Sequence, residues 1–285
     1  SVVQIYRSSK CYIIDIHCQE QKMIAVLCAI RQEISPLAAC MNVSKKFNID
    51  GVLFYQGDLN GLPLTLVQGG IGRDNAVKAA SCLLESTRVD LLISAGVAGG
   101  IRQGIHVGDL IVAEHVGYTR QDDFDVDELQ LESDFVCNKD IVQIARQFSE
   151  SLESTLHFGN LLTVDKVISQ ASTKRKIGEQ NSFLAVEMES AAVAEVAYKK
   201  GVEFAAIRSI SDDIEDDLHL DYDNIISDEG KVKVTSIALG VLKNPQSLAL
   251  LSRLNKQTKS ASKKLAYFMS KLIPLIYDTN IKTNS

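Results

Sequence analysis

The 285-residue chain is 46% hydrophobic and 23% charged, an ordinary globular composition, and its net charge of −6 argues against a nucleic-acid-binding body. No apolar run approaches the roughly 20 residues that cross a bilayer, and the first residues lack the apolar stretch of a secretory signal. The six cysteines form no CxxC pair and the five histidines show no tight ligand spacing, so an intracellular, cytoplasmic chain of free thiols is expected, with no metal and no cofactor.

In chain order, residues 1–22 are mixed and show no period, and Met23–Cys28 is a short continuous apolar run, the pattern of a buried strand. Gln32–Ser44 reads as helix. Gly51–Gln56 and Leu62–Gln68 read as strands joined by the hairpin signal Asp58-Leu59-Asn60-Gly61. Asn75–Leu84 has helical spacing of Ala and Leu. Val89–Ala95 is a second buried strand, running into the glycine-rich segment Gly96–Gly100, which is expected to be a turn. Further strands are expected at Asp109–Ala113, Asn160–Val164 and Glu203–Ser209, and helices at Val142–Leu152 and Ser190–Lys199. The last 50 residues look helical, broken near Pro245 and Pro274.

Buried strands alternating with helices predict a single-domain three-layer α/β sandwich, with a central mixed, mainly parallel sheet flanked by helices. Residues 1–22 are expected to be an N-terminal extension, 23–230 the catalytic domain and 231–285 a basic helical C-terminal extension, since no acidic residue occurs from Lys231 to Tyr277. Ligands of such sheets collect beyond the carboxyl ends of the strands, here just after Cys28, Ala95, Val164, Val186 and Ser209.

Residues of catalytic type fall at those places. Glu33 lies in the first turn of a helix, either as an acid favoured by the helix dipole or as a general base poised over water. Glu187 and Glu189 flank Met188 at a strand-to-helix junction; an extended chain would send both carboxylates to one side, and the alternative is a capping acid before an Ala-rich helix. Asp212 ends a strand, where it is either a cap or an acid that protonates a leaving group, oriented by Ser211. The segment containing Val97, Ala98 and Gly99 lets backbone amides approach a ligand, but it is neither a P-loop nor a GxGxxG turn.

The strings MIAVLCAIRQEISPL, QGGIGRDNAVKAA, ISAGVAGGI, AVEMESAAVAEVA and FAAIRSISDD, in this order, resemble the purine nucleoside phosphorylase and nucleosidase superfamily, closest to its methylthioadenosine/S-adenosylhomocysteine nucleosidase branch. The resemblance spans roughly residues 23–223. It implies that Glu33 activates water, Glu189 binds the ribose hydroxyls, Met188 packs on the sugar, Asp212 protonates the purine at N7 and Ile168 offers its backbone to the base. The implied activity is hydrolysis of the N-glycosidic bond of an adenine nucleoside, by at least a dimer.

Two rivals stand beside it: a phosphorylase, and a silent nucleoside-binding or lipid-surface protein. Phosphorylases resembling the bacterial hexameric type place Arg and Ser where this chain has Ser94 and Val97, which favours water over phosphate, while Arg73 in a nearby glycine turn leaves a route to an anion open. The chain departs from the nucleosidases in carrying Val167 where an aromatic stacks on the base, and Tyr222 falls near the position of an aromatic lid residue. The tail, with TVDKVIS, resembles the hopanoid-associated branch, which acts on adenosylhopane. Leu248, Leu251, Leu254, Leu265, Phe268 and Leu272 form one apolar face there, read as a cap on the domain or as a basic amphipathic surface that makes a peripheral membrane contact.

Overall fold

A computed structural model gives the fold and describes residues 22–120, 124, 129–149, 154–216 and 246–279. Residues 1–21 and Tyr222, Lys231, Lys233, Lys243 and Pro245 lie outside the described residues, as does the Leu248 side chain.

Among the described residues, ten strands form one sheet. Their spans are β1 Ile24–Cys28, β2 Asn42–Ile49, β3 Val52–Leu59, β4 Leu62–Gln68, β5 Leu91–Gly100, β6 Leu110–Thr119, β7 Ser133–Val136, β8 Leu156–Val164, β9 Phe183–Glu187 and β10 Glu203–Asp212. The helices are α1 Arg31–Ala38, α2 Arg73–Ser86, α3 Lys139–Phe148, α4 Ala171–Gln180, α5 Ser190–Lys199 and α6 Gln246–Asp278. The sheet runs β2-β3-β4-β1-β5, and β5 then pairs with both β9 and β10. Since β9, β8, β6 and β10 also pair in series, these strands and β5 close into a ring. The β1–β4, β1–β5, β5–β10, β6–β8 and β8–β9 ladders are parallel and the rest antiparallel.

The continuous apolar runs are explained by cover on both faces. In β1, Ala25 and Leu27 join α2 and α5 in one core layer, while Ile24, Val26 and Cys28 join α1, α3 and α6 in the other. A third cluster, containing Ile168, Ile177 and Val186, seats α4 against β8 and β9. At about 25 cal/mol per Å² of apolar surface, this two-sided burial dominates the fold's stability.

Three expectations change. The helix from Gln32 stops at Ala38, because Pro36 removes a ladder hydrogen bond and Val43, Phe47 and Ile49 alternate along a strand instead. Phe47 stacks on Phe54 with ring centroids 5.0 Å apart. The expected Asn60-Gly61 turn is present, with φ values of 56° and 83°. Gly96–Gly100, expected as a turn, is the end of β5. Pro274 lies inside α6 without ending it, because buried Leu272, Ile273 and Ile276 offset the roughly 3 kcal/mol that an interior proline costs. β7 and α4 were not foreseen.

Leu265, Phe268 and Leu272 of α6 are buried, so that part of its apolar face caps the domain; Leu251 and Leu254 are half-buried. Among the described residues no helix is long and apolar enough to cross a membrane. The four cysteines among them are free thiols.

Candidate active site

Glu33 owes its place to a helix that lacks a polar N-cap. Ile30 occupies the cap position, and the Glu33 carboxylate turns back to accept from Ala29 N at 2.9 Å and Ile30 N at 3.0 Å. Its other oxygen accepts from Val97 N at 2.9 Å, tying α1 to β5. Burial pushes the carboxyl above its usual range, and the amides of Ile30, Val97 and Ala29 and the Arg208 charge oppose that. The structure thus shows Glu33 as the acid that caps its own helix, with a carboxyl raised by burial.

The glycines of β5 make room for this arrangement. A Cβ at Gly96 would stand 2.7 Å from Glu33 Oε1, and one at Gly99 would stand 2.9 Å from Asp212 Oδ2. Glu33 and Asp212 thus lie against one strand, three residues apart, or about 10 Å along it. Val97 N is taken by Glu33 and the Ala98 carbonyl lies 3.3 Å from Ser211 Oγ, so this backbone braces the carboxylates.

Glu187 and Glu189 diverge. Glu187, at the end of β9, accepts from Arg208 Nη2 at 2.5 Å, from the Thr163 hydroxyl, from Glu189 N at 3.1 Å and from Ser190 N at 2.8 Å. Protein donors thus surround both of its oxygens. Glu189, at the cap of α5, accepts from Gly72 N at 2.8 Å. Burial, together with the charge of Glu187, raises its carboxyl to about 8. Arg208 is 2% exposed and also donates to Ser94 Oγ at 3.0 Å. Burial works to lower Arg208, but Glu187, Glu189 and Glu33 more than offset this. Three buried acids thus share one buried guanidinium, and burial first, then the neighbouring Glu187 charge, favours the protonated form of Glu189.

Asp212 closes the group. Its Oδ1 lies 2.8 Å from Ser211 Oγ, and its Oδ2 accepts from Lys174 Nζ at 2.6 Å. Lys174 is fully buried in α4. Lys174 and Arg208 are the residues sequence reasoning missed: Lys174 sits in the surface-like string STKRKIG, and only burial sets it apart. Met188 and Val167 are half-buried and Ile168 is buried beside Val186 in the α4 cluster. An open groove of about 540 Å³ beside Val136, Asn138 and Tyr198 lies at the amino end of β10, away from Asp212, and carries none of these carboxylates.

A family model described as the phosphorylase superfamily matches residues 23–243. The chain belongs to that superfamily. Within it, this phosphorylase-superfamily chain is 32% identical over 196 residues to the 5′-methylthioadenosine/S-adenosylhomocysteine nucleosidase of Psychromonas ingrahamii, covering 66% of this chain and 85% of the relative. A nucleosidase of the same description from Glaesserella parasuis is 29% identical over 230 residues, covering 78% and 98%. Among solved structures, the Neisseria meningitidis nucleosidase in complex with methylthio-immucillin-A aligns with TM-score 0.67 at 23% identity, over 88% of this chain and 98% of that one. Futalosine hydrolase of Helicobacter pylori aligns with TM-score 0.69 at 20% identity, over 89% and 97%. At those identities the structures establish the shared fold.

Proposed function

We propose that the chain hydrolyses the N-glycosidic bond of an adenine nucleoside, releasing adenine and a ribosyl product. What supports this is the position of Glu33, Glu189 and Asp212 just beyond the carboxyl ends of strands, two of them against glycines of β5 and the third held by Gly72 N. Asp212 delivers a proton to N7, which turns adenine into a competent leaving group. Glu189 accepts from the ribose hydroxyls and stabilises positive charge growing on the sugar. Glu33, its carboxyl made more basic by burial, takes the proton of the attacking water.

Water is favoured over phosphate by the charge of the site. At Ser94 the hydroxyl is engaged by Arg208, whose guanidinium is itself committed to Glu187 and buried. Arg73 is directed to Glu195 and lies over the Tyr118 ring, 4.2 Å from its centroid. An incoming phosphate would meet Glu33, and among the described residues Arg208 and Arg73 are each already paired with a carboxylate.

The test is adenine release from 5′-methylthioadenosine and S-adenosylhomocysteine, with and without phosphate, alongside a lipid-linked adenosine to fix the 5′ group. Release independent of phosphate, and lost by at least 100-fold in Asp212→Asn, is expected. Strict phosphate dependence, or full activity in Asp212→Asn, overturns the reading. A homodimer, and contact of the lysines of α6 with anionic lipid, are further proposals; solution sizing and flotation with phosphatidylserine vesicles check them.

A further inference from the structure

Lys174 has no place in the scheme above, yet it is the most completely buried ammonium among the described residues. Its Nζ donates to Asp212 Oδ2 at 2.6 Å, to the Asp213 carbonyl at 3.0 Å and to the Asp216 carbonyl at 3.2 Å. An ammonium has three hydrogens, so none is left for solvent or for a ligand. Its single charged partner is Asp212, itself 8% exposed, whose other oxygen receives the Ser211 hydroxyl.

Burying two charges costs several kcal/mol per ion unless geometry and additional hydrogen bonds repay it. Here they do, and the repayment has a particular form. Moving one hydrogen along the 2.6 Å line converts ammonium and carboxylate into amine and carboxylic acid with no change in net charge. After that move the amine keeps two hydrogens, matching the carbonyls of Asp213 and Asp216, and its lone pair faces the new acid. Both proton positions leave the nitrogen and the carboxyl of the pair hydrogen-bonded.

We infer that Lys174 stores the proton that leaves with the base and that Asp212 conducts it. The inference rests on the proposed role of Asp212. As the C1′–N9 bond breaks, its electron pair goes to the base. Asp212 gives a proton to N7 and receives one from Lys174 Nζ. The base departs as its neutral N7–H tautomer and the ribosyl group carries the positive charge. Water oxygen then bonds to C1′ and the displaced proton goes to Glu33. The enzyme has lost a proton at Lys174 and gained one at Glu33, and exchange with solvent restores both. Lys174 acts only through Asp212 and is a positioning residue in that sense.

The experiment compares the full-length chain with Lys174→Met, Lys174→Gln and Lys174→Arg on two substrates. One is 5′-methylthioadenosine. The other is the 4-nitrophenyl riboside with the same 5′-methylthio group, whose nitrophenolate departs without needing a proton. The ratio of adenine release to nitrophenolate release is expected to fall by at least 100-fold in all three variants, the scale of general-acid catalysis. Arginine keeps the positive charge but does not surrender its proton, so Lys174→Arg is decisive. A wild-type ratio in Lys174→Arg, or a parallel fall of both activities in the folded variants, overturns the inference and leaves Lys174 a charge partner or a structural strut. Absence of adenine release by the unmodified chain, or an unchanged ratio in Asp212→Asn, refutes the underlying reading instead.

Discussion

Glu189 supports the strongest quantitative prediction in the site, because burial, together with the charge of Glu187, raises its carboxyl to about 8. With the carboxyl at about 8, roughly one free molecule in ten carries the carboxylate at pH 7, and nine in ten at pH 9. If the carboxylate grips the ribose, kcat/KM for adenine release rises about tenfold across that interval. The kcat profile should have its limb at lower pH, because ribose hydroxyls donating to the carboxylate favour its charged form. The same equilibrium acts on folding. An unfolded carboxyl ionises near 4.5, so between there and about 8 the folded chain binds the extra proton. The stability from this group is therefore full below about pH 4.5 and is lost as pH rises through 8, by at most on the order of 5 kcal/mol. Steady-state rates from pH 6 to 9.5, and melting curves over the same range, should be measured for the native chain and Glu189→Gln. The glutamine variant should lose the kcat/KM limb and melt several degrees higher than the native chain at pH 8.5, with the two nearly equal at pH 5. A limb that persists in Glu189→Gln belongs to Glu33 and refutes the assignment.

Four other expectations follow from the packing. Gly96→Ala and Gly99→Ala each drive a methyl into a carboxylate, at 2.7 Å from Glu33 and 2.9 Å from Asp212, so each should cut kcat/KM by about 100-fold. Gly61→Ala, strained at φ 83° but with nothing within 4 Å, should lower the melting temperature by a few degrees and leave the rate alone. Arg208→Met strands Glu187 in the core and should cost about 3–5 kcal/mol in chemical denaturation, most of it recovered in the Arg208→Met/Glu187→Met double variant; an additive double variant would show that the two side chains do not depend on each other. Phe268→Ala should cost about 3–5 kcal/mol, and a loss below 1 kcal/mol would mean that α6 is dispensable to the domain.

Much of the fold was legible because two-sided burial writes itself as apolar runs: Met23–Cys28, Val89–Ala95 and Glu203–Ser209 are all strands. The candidate carboxylates were legible as acids placed at strand ends. What could not be read is what depends on partners distant in sequence. Gly96–Gly100 has turn composition, yet it is strand because it pairs with β10 and β9, and its glycines leave room for Glu33 and Asp212. Glu187 and Glu189 look equivalent in VEMES, and only Arg208 and Thr163 tell them apart. Lys174 resembles its solvent-facing neighbours until α4 is folded onto Asp212. β7, a strand of four residues, is too short for its alternation to stand out.

The ring of strands has a consequence for how the protein is made. β10 is the last strand of the sheet to emerge during synthesis, yet it inserts between β5 and β6, which are about 90 or more residues older. Until it arrives, those two strands present bare backbone edges of the kind that invite pairing with other chains. The final insertion joins segments far apart in sequence, which is slow in kinetic terms. Shortened products ending before residue 203 should therefore be sticky as well as inert, and the newborn chain should depend on chaperones until its final strand is in place.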